Sequence, residues 1–211
     1  MEAALDERAI ARKPQQQRAK DRFERVLDTA ETLLLEAGLG GFSIPELANR
    51  LGYTRASIYK FFPTPYAVLN ELLNRHLHAL ETELNRHAER LLDLPWPRLT
   101  EAIVTLAADF HNAHPVGRLL ILGGPVTDDS YRAQEITIQH LGRLARVLMH
   151  RQGVELPDEP DAATLAVDIG TTCFRVSFFK HGEITPAYRD EAARAMVAYL
   201  SHYAGEESGA G

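Results

Sequence analysis

The chain has a single cysteine among its 211 residues and no long hydrophobic run, and each shortage excludes a class of protein. Cys173 alone cannot form an intrachain disulfide, which is typical of proteins in a reducing cytoplasm. The longest apolar run has about eight residues, near 119–126, whereas a transmembrane helix needs ~20. The amino terminus carries Glu2, Asp6 and Glu7 without an apolar segment, so a secretion signal is not expected. We therefore expect a cytoplasmic protein with no membrane partner.

The alternation of apolar and polar residues that marks strands does not persist anywhere, and we find no internal repeat. Apolar residues instead recur at helical spacing, in segments that Pro and Gly separate. The sequence therefore predicts an all-α fold of about nine helices. Two short helices are expected within 43–62, and the others near 18–37, 65–92, 98–113, 115–122, 128–151, 160–181 and 187–203.

Signatures of catalysis and of metal binding are also missing. Neither G-x-S-x-G nor H-E-x-x-H occurs, and the histidine pairs His111/His114 and His76/His78 have no cysteine nearby. Cys173 lies within an apolar helix segment, where packing is the simpler interpretation. We predict no enzyme activity, no catalytic residue, no metal site and no cofactor.

The segment 43–62 has the pattern of a helix-turn-helix. Ser43 and Glu46 have the spacing of a capping box, which satisfies backbone N–H groups in the first turn of a helix. Gly52 can adopt the left-handed conformation that ends this helix, and Thr54 can cap the next one. The second helix is short and carries polar side chains, as expected of a helix that enters the major groove of DNA.

The stretch from about residue 22 to 72 resembles the DNA-binding region of tetracycline-repressor-type (TetR) transcription regulators. Ala37-Gly38, the run Ser43 to Ala48, and the run Tyr59-Lys60-Phe61-Phe62 occupy the family's motif positions. One position departs from the pattern: Pro65 stands where the family usually has a Lys at the start of its fourth helix. A phosphate contact from that Lys is not available here, although the amino end of the helix can face a phosphate.

The resemblance implies a homodimeric regulator in which the last two helices pair with their mates as a four-helix bundle. Helix 160–181 is apolar on two faces, as a helix with two partners should be. Residues 1–17 carry three cations, one proline and three glutamines and predict a flexible arm, either a disordered terminus or an arm that follows the minor groove or the phosphate backbone of DNA. The predicted domains that follow are a DNA-binding domain at 18–64 and an effector-binding and dimerisation domain at 65–211. Asp93 to Pro97 breaks the helical pattern and is the best candidate for a domain boundary, between the helix that follows the DNA-binding head and the remaining helices. The two apolar stripes are Leu165, Ile169, Thr172, Val176 and Phe179, and Val167, Gly170, Phe174 and Phe178.

Seven residues are candidates for contact with operator DNA. Arg55 follows the cap and can reach a guanine edge with two hydrogen bonds, while Tyr59 and Lys60 are candidates for phosphate contacts. The alternatives are core packing for Tyr59 and solvated charge for Arg55 and Lys60. By resemblance, the two capping residues also meet phosphates. The full set is Ser43, Thr54, Arg55, Ala56, Ser57, Tyr59 and Lys60.

The carboxy-terminal domain is the expected site of a small effector, because TetR-type regulators generally bind one among these helices. The candidate lining is largely apolar, with one histidine and one tyrosine as polar groups, and it suits a hydrophobic or aromatic molecule. Ordinary core packing is the alternative for every member. The candidates are Trp96, Phe110, His114, Leu122, Tyr131, Ile138, Phe174 and Phe178.

The net charge of −6 is unevenly distributed in a way that favours DNA binding. Residues 8–60 hold ten Lys and Arg against six Asp and Glu, a net of +4, whereas residues 63–211 hold thirteen against twenty, a net of −7. Cations that displace counterions from phosphate therefore surround the helix-turn-helix. The sequence predicts a DNA-binding transcriptional regulator, a repressor released by a small molecule. The alternative is a helical small-molecule carrier or scaffold with a vestigial DNA-binding head.

Overall fold

The computed structural model describes residues 7–123 and 128–205, without the side chains of residues 88, 89 and 128–134. Within these ranges it contains nine α-helices, two short 3-10 turns and no strand, which confirms the predicted all-α class. The turns are Glu7–Ala9 and Leu39–Gly41. The helices are α1 (Gln17–Ala37), α2 (Ile44–Leu51), α3 (Arg55–Tyr59), α4 (Pro65–Leu92), α5 (Trp96–Ala113), α6 (Pro115–Leu122), α7 (Asp128–Arg151), α8 (Ala162–His181) and α9 (Pro186–Ala204).

Two helix starts differ from the prediction by two residues, and both have local causes. Helix α5 begins at Trp96 instead of 98, because Pro97 fits the first turn, where its missing N–H has no helical partner. Helix α8 begins at Ala162 instead of 160. Its cap is Asp161, whose carboxylate accepts the backbone N–H of Thr164 at 3.2 Å.

The described residues divide into two compact units. Unit 1 contains the residues up to Leu77 and those of Pro115–Gln134, and unit 2 contains His78–His114 and the residues from Glu135 on. Helix α4 contributes to both units. The predicted domain boundaries after residues 17 and 64 are drawn by expected function, not by compactness, so they remain predictions.

The core of unit 1 joins the apolar faces of α1, α2 and α3 to the start of α4. Phe62 is fully buried and stacks on Phe23 with ring centroids 4.6 Å apart, while Phe61 meets Phe23 edge-on at 6.0 Å. Both are favourable geometries for aromatic pairs. Ile58 and Leu47 are also fully buried in this core, so α2 and α3 are held against α1.

Residues 7–13 are held to the rest of unit 1 by hydrogen bonds to their backbone groups. Ala9 is buried, and its carbonyl accepts a hydrogen bond from the Asn70 side chain at 3.0 Å. The backbone N–H of Arg12 donates to the carbonyl of Phe61 at 2.7 Å. This part of the predicted flexible arm is therefore fixed next to the helix-turn-helix.

Unit 2 is organised around the pairing of α8 with α9 and the packing of α5 against α9. Gly170 permits a close approach of α8 to α9, since a Cβ atom there would lie 2.5 Å from the sulfur of Met196. The Asn112 side chain ties α5 to the segment before α9, because it both accepts from and donates to the backbone of Ile184, at 2.9 and 2.8 Å. These contacts cover only one side of α8.

The other side of α8 exposes large apolar side chains. Leu165 is 42%, Val176 38% and Phe179 65% exposed, and all three belong to one predicted stripe. Among the described residues, α8 is also the one helix long and apolar enough to cross a membrane, with a mean hydropathy of 1.2. About a third of it, 33%, is buried within the fold, and core helices of soluble proteins meet the same criteria, so this is weak evidence for a span.

Candidate nucleic-acid interface and effector cavity

Only one of the two hydrogen bonds of the predicted capping box forms at the start of α2. The Ser43 hydroxyl accepts the backbone N–H of Glu46 at 3.3 Å. The Glu46 carboxylate does not complete the capping box, because it accepts a hydrogen bond from Arg50 Nε at 2.9 Å. Arg50 also contacts Glu36 on α1 at 2.5 Å, so α2 is fixed to α1 by an ion pair where a reciprocal cap was expected.

The turn between α2 and α3 depends on glycine. Gly52 has φ 63° and ψ 30°, a left-handed conformation that other residues adopt with strain. The next residue, Tyr53, closes the turn by donating its backbone N–H to the carbonyl of Ala48 at 2.9 Å. The predicted glycine turn is confirmed, and it sets the direction in which α3 leaves α2.

Helix α3 is anchored by one buried side chain and exposes most of the others to solvent. Thr54 caps it by accepting the backbone N–H of Ser57 at 3.3 Å, and Ile58 is completely buried beneath it. Arg55 and Lys60 are exposed on its outer side. Ala56 and Tyr59 are exposed as well, the latter by 41%, and Ser57 is half-buried. The structure thus places Ser43 and Thr54 at the caps of α2 and α3, and the other five candidate DNA contacts on α3 or at its end.

Helix α4 begins as predicted at Thr64-Pro65. The Thr64 hydroxyl accepts the backbone N–H of Ala67 at 3.2 Å and donates to the carbonyl of Arg8 at 2.9 Å. Pro65 occupies the first helical position, where a proline is well accommodated. The departure from the family pattern at this position therefore leaves the geometry of the helix start intact.

Two arginines of unit 1 are paired with neighbouring carboxylates. Arg75 lies among three carboxylates of α1, at 2.5 to 3.2 Å. Burial opposes its charge, but the hydrogen bond to Asp28 and the charges of Glu31 and Glu24 outweigh burial and raise the pKa of Arg75. Arg50 is similarly neutralised, and its hydrogen bonds to Glu46 and Glu36 raise its pKa. Neither of these arginines is expected to bind phosphate.

Sequence reasoning missed two other arginines, on α1, that lie beside the turn before α3. The guanidinium carbon of Arg22 is 5.2 Å and that of Arg25 is 5.9 Å from the centroid of the Tyr53 ring. Both arginines are exposed, and Tyr53 is the residue immediately before the cap of α3. Their i, i+3 spacing places them on one helix face, but the sequence gives no sign that this face meets the turn.

Two of the eight candidate effector contacts line the same groove. Phe110 and His114 stack with ring centroids 4.0 Å apart and line an open groove between α4 and α5. Trp96 packs on the cluster around Met149 and Leu200. The others lie elsewhere: Phe174 is buried on α8, Ile138 and Phe178 are half-buried, Leu122 belongs to unit 1, and the side chain of Tyr131 lies outside the described part of the chain.

Unit 2 contains a cavity of about 180 Å³ that the sequence did not indicate. It lies between α4, α5 and α7, and three of its lining side chains are polar. Glu81 accepts a hydrogen bond from His140 at 2.6 Å, an interaction that lowers the pKa of the carboxyl and keeps it ionised. The lining is Leu84, Leu91, Leu92, Leu99, Ile103, Leu144, Val147 and Leu148, with Glu81, Asn85 and Arg151 as the polar members.

The described residues contain no group of three His, Cys, Asp or Glu side chains that could hold a metal ion. The His114 ring contacts the carbonyl of Phe110 at 2.7 Å, and His111 is buried with its ring 6.3 Å from that of Phe174. Burial, with a contribution from the charge of Glu191, raises the pKa of the Cys173 thiol. This thiol is therefore less reactive than an ordinary exposed cysteine.

Two family models match the chain along most of its length. The model for bacterial regulatory proteins of the tetR family matches residues 26–72, which include α2, α3 and the start of α4. The model for the tetracyclin repressor-like C-terminal domain matches residues 95–200, half of the chain. The chain belongs to the TetR family. This confirms the resemblance seen in the sequence, and TetR-family proteins are transcriptional regulators, not enzymes.

Individual relatives resemble this TetR-family chain in part of its sequence or in its fold. The HTH-type transcriptional regulator EthR of Mycobacterium tuberculosis H37Rv is 37% identical over 73 residues, which cover 35% of this chain and 34% of EthR. A TetR-family regulator from Streptomyces coelicolor superposes with a TM-score of 0.64 at 22% identity, over 86% of this chain and 99% of its own. A regulator from Rhodococcus sp. Rha1 gives 0.59 at 14% identity, over 85% and 94%. Both of these solved structures share the fold of this chain.

Proposed function

We propose that this TetR-family chain is a cytoplasmic repressor that binds operator DNA as a homodimer and is released by a small, mostly apolar molecule. The observation that carries the proposal is the construction of α3. Its one inward side chain, Ile58, is fully buried, while Arg55, Ala56 and Lys60 are exposed at its outer side. A five-residue helix with this division is suited to insertion into a major groove.

The hydrogen bonds of α3 suggest what each polar side chain contributes. The Ser57 hydroxyl donates to the carbonyl of Thr54 at 2.7 Å, so its remaining capacity is that of an acceptor, which suits an adenine or cytosine amino group. Arg55, at the first helical position, can reach a guanine with two bonds. Ser43 and Thr54 accept backbone N–H groups, so each can offer its hydroxyl hydrogen to a phosphate.

Replacing Arg55 by Ala should cost about 1–3 kcal/mol at one base position and relax specificity there, because the side chain no longer bonds that base. Replacing Lys60 by Ala should weaken binding to all sequences alike and reduce the salt slope by about 1, because one phosphate is no longer neutralised. Binding titrations on a DNA-selected operator and on random duplex measure both. Arg98→Ala, an exposed arginine of unit 2, is the matched control. Equal losses of affinity for both variants on both DNAs would contradict this division of roles.

We further propose the cavity between α4, α5 and α7 as the effector site. Its volume of about 180 Å³ is near that of an engineered cavity of ~150 Å³ that binds benzene. The walls are aliphatic, while Glu81 can accept a hydrogen bond and Arg151 can donate one. A molecule of about one ring, with a hydrogen-bonding group at one or both ends, is the class that fits.

A cavity-filling variant separates effector response from DNA binding. Leu144→Phe should occupy part of the cavity at a stability cost of about 1–3 kcal/mol, so the variant should keep its operator affinity and no longer be released. Small aromatic and aliphatic compounds that raise the melting temperature of the intact protein supply the probe for the release assay. Phe110→Leu, in the open groove, is the control and should respond normally. A normal response in Leu144→Phe, with loss of response in Phe110→Leu, would place the effector in the groove instead.

Release requires the effector to prefer one arrangement of the dimer over another. A molecule that binds the arrangement with mis-spaced recognition helices shifts the population toward it, and lowers DNA affinity by its difference in affinity for the two forms.

The carrier alternative has only Pro65 in its favour. Since Thr64 and Pro65 form an ordinary helix start, no observation beyond the missing Lys supports a vestigial head.

A further inference from the structure

The residues beside the recognition helix include a positively charged pair that the candidate contacts above leave unused. Arg22 and Arg25 project from one face of α1 over the same Tyr53 ring, at 5.2 and 5.9 Å from its centroid. The ring itself is half-buried and packs against the core of unit 1. It therefore provides a fixed platform on which two otherwise flexible guanidinium groups are oriented.

The two guanidinium groups have no carboxylate partner in the described part of the chain. The nearby acids of α1 are engaged elsewhere: Asp21 accepts a hydrogen bond from Gln17 at 2.7 Å, while Glu24 and Asp28 pair with Arg75. Two like charges at i, i+3 repel each other, and one arginine would be enough to cover the ring. An anion placed between them would remove that repulsion.

The position of the arginine pair indicates which class of anion it would bind. Tyr53 directly precedes Thr54, the cap of α3, and its backbone is fixed by the bond from its N–H to the carbonyl of Ala48. The pair therefore lies at the entry of the helix that faces the bases. Along DNA, the groups that flank a major-groove contact are backbone phosphates.

We propose that Arg22 and Arg25 form a phosphate clamp that binds the operator backbone beside the bases contacted by α3, with Tyr53 as its positioning residue. The clamp rests on the proposed DNA-binding function and adds to it a contact from α1. Arginine suits this task because its planar group bonds phosphate oxygens bidentately and stacks on an aromatic face at the same time. The contact carries no base information, so it increases affinity and fixes the position of α3 without changing which sequence is preferred.

The test compares Arg22→Gln/Arg25→Gln with the intact protein on an operator duplex enriched from random DNA, and on random duplex. The clamp predicts the same proportional loss of affinity on both DNAs. It also predicts that the slope of log K against log salt becomes shallower by about 0.9 for each phosphate that is no longer neutralised. The matched control, Arg90→Gln/Arg98→Gln, removes two exposed arginines of unit 2 and should change neither quantity. Unchanged affinity and slope in the α1 double variant would overturn the proposal.

The role of the ring is tested separately, by two substitutions of Tyr53. Phe retains the aromatic face and should bind DNA as the intact protein does, whereas Leu retains only the apolar packing and should show a shallower salt slope. Equal behaviour of the Phe and Leu variants would overturn the positioning role. An intact protein that selects no DNA at all would instead refute the DNA-binding function, so the two failures are distinguishable.

Discussion

Replacing Phe179 by Asp is expected to leave the protein monomeric and to weaken operator binding at least ~100-fold. The side chain is 65% exposed and belongs to the uncovered apolar side of α8, together with Leu165 and Val176. In a two-fold interface the change occurs twice, so two carboxylates would be buried without partners. A monomer keeps one recognition helix and loses the second half-site, which takes it from specific affinities of ~10⁻⁸ M or better toward the non-specific range.

Sedimentation or light scattering, combined with an operator titration, measures this result. Because Phe179 is largely exposed, its replacement should leave the fold of a single chain unchanged. Leu35→Asp is a matched control, since Leu35 is 59% exposed on α1 in unit 1 and should remain dimeric and bind DNA normally. A Phe179→Asp protein that stays dimeric and binds with unchanged affinity would show that α8 does not form the interface.

Replacing Phe62 by Ala is expected to destabilise unit 1 by about 3–5 kcal/mol. The side chain is fully buried, stacks on Phe23 at 4.6 Å, and lies three residues after the end of the recognition helix. Its removal leaves a cavity beneath α3 that neighbouring helices can fill only in part. Operator binding should fall with the folded fraction of unit 1.

Hydrogen exchange distinguishes a local effect from a general one. Amides of α1 and α2 should exchange faster in Phe62→Ala, while amides of α8 and α9 in unit 2 should change much less. Phe62→Leu, which leaves a smaller void, should show a smaller shift in the same helices. Equal acceleration in both units would mean that the two unfold together, and unchanged exchange would mean that Phe62 does not stabilise the DNA-binding core.

The sequence predicted the features of this fold that local chemistry determines. Gly52 had to end α2 because a left-handed residue was needed there, and Thr54 and Thr64 lie where free N–H groups need an acceptor. The helix limits followed from proline and glycine positions, and the predicted starts of α5 and α8 lie within two residues of the observed ones. The TetR-like motif was visible because it consists of such local signals at fixed spacings.

What depends on distant residues was not predictable. Glu46 had the spacing of a capping box, but Arg50 takes its carboxylate, and the bond from Arg50 to Glu36 could not be anticipated from positions fourteen residues apart. Tyr53 gave no sign that α1 would bring two arginines over its ring. The lining of an effector cavity could not be predicted for the same reason, since aromatic residues on several helices indicate a core but not which of them enclose a space.

Binding of the purified protein to the DNA that precedes its own gene, compared with random duplex across a range of salt concentrations, tests the central claim most directly. A TetR-family repressor should show a preference of at least ~10³-fold for one site, with a steep loss of affinity as salt rises. Weak binding that ignores sequence, together with failure to enrich any site from the whole genome, would contradict a function in specific DNA recognition.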